Sequence, residues 1–274
     1  MRALRRTDDV DPLDLLDPAD RSRAAAALVD GAALGHSFGN ITAITARPDR
    51  ATVVRIKGRP DAQAGSVVTT PDRIADLFDW SRLPPAPDPI LLLALMAELV
   101  ALGPIWFRGA AIAAVPEHLT MWDGPVRTVQ VVSPGSGCAS NLLVDDVLAD
   151  IGGNVLFGTS ANTSHHRTGR TEPPHVELRS LRAELGPGLV LIGHRNEAAV
   201  RDRYPLHRPC STSIVSFHNA RTDGGRPAIT LERHGSLAAA EIRKRAERYG
   251  FGMVIVGTCT HTSRRTSWRQ SSRP

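Results

Sequence analysis

Lysine and arginine stand two apart in Lys57-Gly58-Arg59-Pro60, on a turn that glycine and proline stiffen. Two cations held this way can grip one polyphosphate, the guanidinium as a planar fork and the ammonium as a compact point charge. A second segment, Phe157 to Ser164, runs from an apolar strand straight into hydroxyl and amide residues set among small ones. Small residues let backbone N–H groups approach an anion, and Ser160 and Asn162 add directional hydrogen bonds. A third feature is split along the chain. Cys210-Ser211-Thr212-Ser213-Ile214-Val215 opens a strand with hydroxyls, and Arg233-His234-Gly235-Ser236 supplies a cation on a turn. Each segment alone is an ordinary solvated turn or strand start. Their common chemistry is the recognition of phosphate.

The background sharpens the first segment. Of 33 lysines and arginines, only Lys57 and Lys244 are lysines, so this chain uses arginine wherever a generic positive charge will serve. A lysine kept in such a background points to a site that wants a compact ammonium. Lys244 lies on a solvated helix pattern, EIRKRAER, where chance explains it; Lys57 is the residue to follow. The formal net charge of +5 favours anionic partners such as nucleotide phosphates or RNA, and residues 261–274, with four arginines and no acid, account for much of it.

These segments need elements to hold them. Asp17 or Asp20 caps a first helix over Arg21–Asp30, closed by Gly31. Ala32–Ile44 is apolar, broken by Gly35 and Gly39, and Arg50–Ile56 leads into the Lys57 turn. Asp88, Pro89 and Gly103 mark cap, first residue and stop of a helix over Ile90–Leu102, which its apolar composition makes a buried one. Strands are expected at Val126–Val132, Val155–Thr159, Leu189–Ile192, Ser213–Phe217 and Pro227–Arg233. Helices are expected over Asn141–Ile151 and from a Ser236 cap to Gly250. Interleaved strands and helices predict an α/β (α+β) fold, a sheet flanked by helices. Three spans follow: 1–19 as an N-terminal segment, 20–250 as one domain, and 251–274 as an apolar extension with a basic tail.

Taken in order, the motifs resemble the YrdC-like family, the threonylcarbamoyl-AMP synthases. That family has a KxR motif, a strand ending in SAN, an ST-V/I-V strand and an RPG turn. This sequence supplies Lys57/Arg59, Ser160-Ala161-Asn162, Ser211 to Val215, and Arg233-x-Gly235. Gly103-Pro104-Ile105, Val115–Leu119 and Thr128–Pro134 resemble the segments between, so the likeness runs over about Ala24–Glu241. The resemblance implies a twisted open sheet with a basic concave face. It also implies a reaction in which L-threonine, bicarbonate and ATP, with magnesium expected beside the nucleotide, give threonylcarbamoyl-AMP and pyrophosphate for tRNA modification. By the same resemblance Lys57 and Arg59 hold the ATP phosphates and carry catalysis. Ser160 and Asn162 line the ATP and amino-acid sites, Ser211, Ser213 and Arg233 contact the nucleotide, and Asn40 faces the amino acid.

Three positions depart from that pattern. Ser37–Ile44 keeps only the apolar rhythm of the family's first motif, Val132 replaces an arginine, and His234 replaces a proline. The phosphate pocket is therefore expected to persist while the amino-acid pocket differs. The alternatives are a paralogue that activates another small amino acid or carbamate, and a non-catalytic module binding nucleotide or double-stranded RNA. His165 and His166 are adjacent, with no Cys, Asp or Glu to complete a metal set, so no metal site is expected. Cys138, Cys210 and Cys259 form no CxxC, and the longest apolar run, Ile90–Leu102, contains Glu98 and falls short of the roughly 18–20 residues of a span. With no secretory leader visible, a soluble cytoplasmic protein is the expectation.

Overall fold

The computed structural model describes residues 11–49, 66–84, 87–161, 175–185, 189–208, 210–219 and 221–256. Lys57, Arg59, Asn162, the His165–His166 pair and the 257–274 tail lie outside the described residues.

The described strands are β1 (Leu13–Asp14), β2 (Ala33–Phe38), β3 (Ile41–Ala46), β4 (Ser66–Val68), β5 (Ile105–Ala110), β6 (Thr120–Asp123) and β7 (Val126–Ser133). After them come β8 (Leu156–Ser160), β9 (Leu189–Gly193), β10 (Ile214–Ser216), β11 (Thr222–Asp223), β12 (Arg226–Arg233) and β13 (Gly252–Ile255). They form one mixed sheet in the order β1-β9-β2-β3-β8-β4-β7-β5-β10-β12-β11, with β6 added to β7 and β13 to β12. The helices are α1 (Pro18–Val29), α2 (Pro89–Leu102), α3 (Ser140–Ile151), α4 (Leu178–Leu185), α5 (Glu197–Arg201) and α6 (Ala239–Arg248).

Alternation along each strand divides the core in two. Ile44, Val67, Phe107, Val131, Phe157 and Val215 point to the first face, where they pack with α2, α4 and α6. Leu34, Val68, Trp106, Val132, Leu156 and Ile214 point to the second face and pack with α1 and α3. This is the expected α/β sheet flanked by helices. The sheet also takes in Leu13–Asp14 and Gly252–Ile255, outside the 20–250 span. Among the described residues, no helix is long and apolar enough to cross a membrane.

The caps read from sequence hold at two helices. The Asp17 carboxylate accepts from the Ala19 N–H at 2.8 Å, and the Asp88 carboxylate from the Ile90 N–H at 2.8 Å. Two other expectations are corrected. α2 is not buried all round: Leu92, Leu95, Met96, Leu99 and Val100 face the core, but Ile90 is 75% exposed, with Leu91 and Leu93 exposed beside it. A helix laid on one face of a sheet buries only one stripe, whatever its composition. Ser236 does not cap α6. The Ala239 N–H donates to His234 Nε2 at 3.1 Å, while Ser236 is fully buried with its hydroxyl 3.1 Å from His207 Nδ1.

Candidate functional site

On the second face the apolar row that α3 covers gives way to a polar one. Pairing registers place Gly158 beside Ser66, Gln130 beside Arg108, Arg108 beside Ser216, and Ser216 beside Thr230. Side chains tie the row together. Gln130 Nε2 donates to Ser66 Oγ at 2.6 Å, and Arg108 Nη2 donates to Gln130 Oε1 at 2.7 Å. Arg108 Nη1 sits 3.3 Å from Glu232 Oε2, both side chains being 18% exposed. Ser160 ends β8 on this same face, two residues beyond Gly158, and pairs with Ala43.

Arg233 closes the far side. A register shift between Ile214 and Val215 brings Arg233 opposite Ile214, the kind of irregularity that re-aims a side chain. Its guanidinium carbon lies 4.5 Å from the centroid of the Trp106 ring, and its Nε donates to the Thr212 carbonyl at 2.7 Å. Cation–π contact and hydrogen bond together fix one planar cation on the sheet.

The two halves of the third sequence feature meet here. The Ser236 N–H donates to the Ser211 carbonyl at 2.8 Å, Ser213 Oγ donates to the Leu237 carbonyl at 2.8 Å, and the Gly235 N–H donates to Ser213 Oγ at 3.1 Å. Ser213 is fully buried, and its hydroxyl fastens the Arg233–Gly235 turn to the start of β10. A Cβ at Gly235 would overlap the Ser211 carbonyl oxygen and the backbone of Thr212 and Ser213, so only glycine lets the segments approach this closely.

Asn40 lies at the β2–β3 turn, 4% exposed, its Nδ2 donating to the Arg208 carbonyl at 2.8 Å. Its Oδ1 is buried with no hydrogen-bond partner among the described residues. Ser37, by alternation with Leu34 and Phe38, turns to the first face, away from Ser160. Ser160 and Arg233 thus share one face of the sheet, whereas Ser37 opens on the other, and Lys57, Arg59 and Asn162 stand outside the described residues.

Sequence reading missed Arg108, Gln130, Glu232 and Trp106. One signal was available: Arg108 is the lone charge inside the apolar stretch Ile105–Ala110, which a strand needs only if one face is polar. Thr212 is 1% exposed with a hydroxyl that has no partner among the described residues, and Trp106 Nε1 is likewise buried and unpaired among them. Such groups mark unfinished hydrogen bonding rather than simple packing.

No family model matches the chain, and no curated protein matches it by sequence. Solved structures do match. A double variant of P. abyssi Sua5 is 14% identical, with 90% of this chain and 65% of that one superposed at a TM-score of 0.63. P. abyssi Sua5 complexed with L-threonine is also 14% identical, covering 89% of this chain and 62% of that one at 0.61. E. coli YciO, 14% identical, covers 84% of this chain and 95% of its own at 0.51. The chain spans less than two thirds of the Sua5 length. At such identities the likeness carries architecture, and on that ground the chain has the YrdC-like fold, the open twisted sheet of Sua5 and YciO.

Proposed function

We propose that the chain is an adenylate-forming nucleotidyltransferase of the threonylcarbamoyl-AMP synthase type. It binds ATP on the second face of the sheet and activates a small amino acid as its carbamate. The observation that carries this reading is the gathering of Ser160, Arg108 and Arg233 on one face of a YrdC-like sheet, with the Arg233 turn locked to the start of β10. Lys57 and Arg59 join them on sequence grounds, as the grip on the β- and γ-phosphates, and Asn162 beside Ser160.

The chemistry asks little covalent work of the protein. The neutral amine combines with bicarbonate to give a carbamate and water. A carbamate oxygen then attacks the α-phosphorus, and pyrophosphate leaves. Charge builds on phosphate oxygens throughout, so fixed cations and aligned reactants supply the catalysis. Arg233, stacked on Trp106, is such a preorganised cation. Arg108 is partly neutralised by Glu232 and is better placed to orient than to bind a bare phosphate. Among the described residues no group of three His, Cys, Asp or Glu could hold a metal ion. Magnesium would arrive with the triphosphate, and no step here depends on it.

Two measurements test the reading. ATP titrated by calorimetry should bind the wild type and bind Arg233→Ala more weakly by about 1.5–3 kcal/mol, the worth of a charge-assisted hydrogen bond. Pyrophosphate release with threonine, serine, valine and alanine should show a threonine preference below roughly a hundredfold, because the Ser37–Ile44 segment has lost the family's side chains for a substrate hydroxyl, Asn40 excepted. No ATP binding in either protein would remove the basis of the proposal, and a stronger threonine preference would show that other residues build the pocket. ATP binding without release under any condition would favour a nucleotide-binding module.

A further inference from the structure

A pocket lies on the first face, away from the row formed by Ser160, Arg108 and Arg233. It opens between the turn after β3, the end of α3 and the 112–116 segment, and it encloses about 760 Å³ including its mouth. Leu77, Ile112, Val115, Ile151 and Val155 supply most of its wall. Leu77, Val115 and Val155 belong to the first-face core, and Ile112 packs against it. Protein interiors pack closely enough that voids much larger than a water molecule are few. An apolar hollow of this size, open on one side and carrying few polar groups, has the form of a small-molecule site.

The polar groups of this pocket carry one sign of charge. Among the described residues that line it, Arg47 alone is charged, and Asn154 adds an exposed amide. Arg47 Nη1 donates to the Val29 carbonyl at the end of α1 at 2.9 Å, which ties the guanidinium to the rim. Among the described residues no carboxylate pairs with it. A guanidinium has five N–H donors, so one carbonyl leaves most of them to offer. α3 also ends at this pocket, and the negative end of a helix disfavours an anion. The Gly152 and Gly153 N–H groups bond the Ala149 and Leu148 carbonyls at 3.3 and 3.2 Å, which closes part of that end. An anion therefore belongs on the Arg47 side, with apolar wall beyond it.

We infer that this pocket binds a short apolar monocarboxylate, its chain against Leu77, Ile112, Val115, Ile151 and Val155 and its carboxylate on the Arg47 guanidinium. The planar fork of arginine matches a carboxylate in geometry as well as charge. A neutral hydrocarbon would fill the wall and leave that fork unused. A ligand with a second charge would press it against apolar side chains without a partner, which is costly. The site is separate from the one that serves the reaction proposed above. Val155 stands just before β8 and Ser160 closes it, five residues of strand or about 17 Å apart, and the polar row lies on the other face. Monocarboxylate and ATP should therefore bind independently.

The test uses the full isotope-labelled chain, followed by amide signals in NMR at constant pH and matched sodium concentration. Sodium acetate, butyrate and hexanoate, and 1-hexanol, are titrated in turn into the wild type, Arg47→Gln and Ala114→Trp. Hexanoate should give saturable shifts confined to residues 47–48, 112–116 and 151–155. It should bind about fifteenfold more tightly than butyrate, close to fourfold for each added methylene, with acetate weakest. Binding should weaken roughly tenfold in Arg47→Gln and for 1-hexanol in the wild type, since each removes one end of the charge-assisted contact. Ala114 is an exposed residue of the lining, so Ala114→Trp keeps the fold while its indole blocks the pocket, and hexanoate affinity should be lost. Three results would overturn the site: no saturable hexanoate binding, unchanged affinity in Ala114→Trp, or shifts centred instead on the exposed Ile90, Leu91 and Leu93, which would mark adsorption to an apolar surface. Hexanol binding as tightly as hexanoate, or equal hexanoate affinity in Arg47→Gln, would overturn the carboxylate assignment. Arg233→Ala separates this site from the nucleotide site. It should leave hexanoate affinity unchanged, and a parallel loss would place hexanoate beside Arg233 and overturn the inference.

Discussion

Lys57, one of two lysines among 33 lysines and arginines, is the sharpest residue-level clue, and it makes a quantitative claim. Lys57→Ala should weaken ATP binding by about 1.5–3 kcal/mol in calorimetry, the loss of one charge-assisted phosphate contact. Equal affinity in the two proteins would remove Lys57 from the site. Gly235 makes a different kind of claim. Gly235→Ala has backbone on every side where its methyl group must go, and overpacking of that kind costs on the order of 1–3 kcal/mol. Its urea midpoint should fall, and ATP affinity should fall with it, since the same turn carries Arg233. An unchanged midpoint would mean that the segments move apart freely. Residues of this sort were legible to different degrees. Arg233 and Ser160 could be named because hydroxyls and cations after apolar strands are visible one segment at a time. Arg108, Gln130 and Glu232 could not, because each lies inside a different strand and only sheet pairing makes them one row.

At the scale of elements, the β2–β3 hairpin carries a buried titratable group. His36 is fully buried, its Nε2 lies 2.7 Å from Thr45 Oγ1, and desolvation pulls its imidazole from 6.5 down to about 4. A folded-state pKa below the unfolded one means that the unfolded chain binds the extra proton between those values. Stability is therefore complete above about pH 6.5 and is lost as the pH falls toward 4, by roughly 3 kcal/mol for a shift of this size. His207, lowered to about 4 chiefly by burial, acts in the same direction. Urea midpoints measured from pH 7 to pH 4 should fall, and His36→Gln should flatten the slope; an identical slope in the variant would show that His36 is not the group responsible. Phe157, fully buried in β8, should cost about 3–5 kcal/mol when changed to Ala. Elements with their own signals were readable: α1 and α2 from their Asp caps, β7, β9 and β12 from composition. The short strands β4, β6 and β11 were not, since three or fewer periods of alternation do not rise above background and their existence depends on partners far along the chain.

For the molecule as a whole, the order of motifs said more than any one of them. A sheet whose neighbours come from distant segments, β8 between β3 and β4 and β10 between β5 and β12, converts sequence order into a single polar face. That is why an ordered set of weak signals predicted the fold, and why it said less about the amino-acid pocket. The five-residue α5, with its flanking loop, has no counterpart in the motifs. The measurement that bears most directly on the whole account is pyrophosphate release from ATP by the full chain, with bicarbonate and each amino acid supplied or withheld. Release that requires ATP, bicarbonate and an amino acid together is the predicted result; release without amino acid or bicarbonate, or silence with all of them present, would contradict the account.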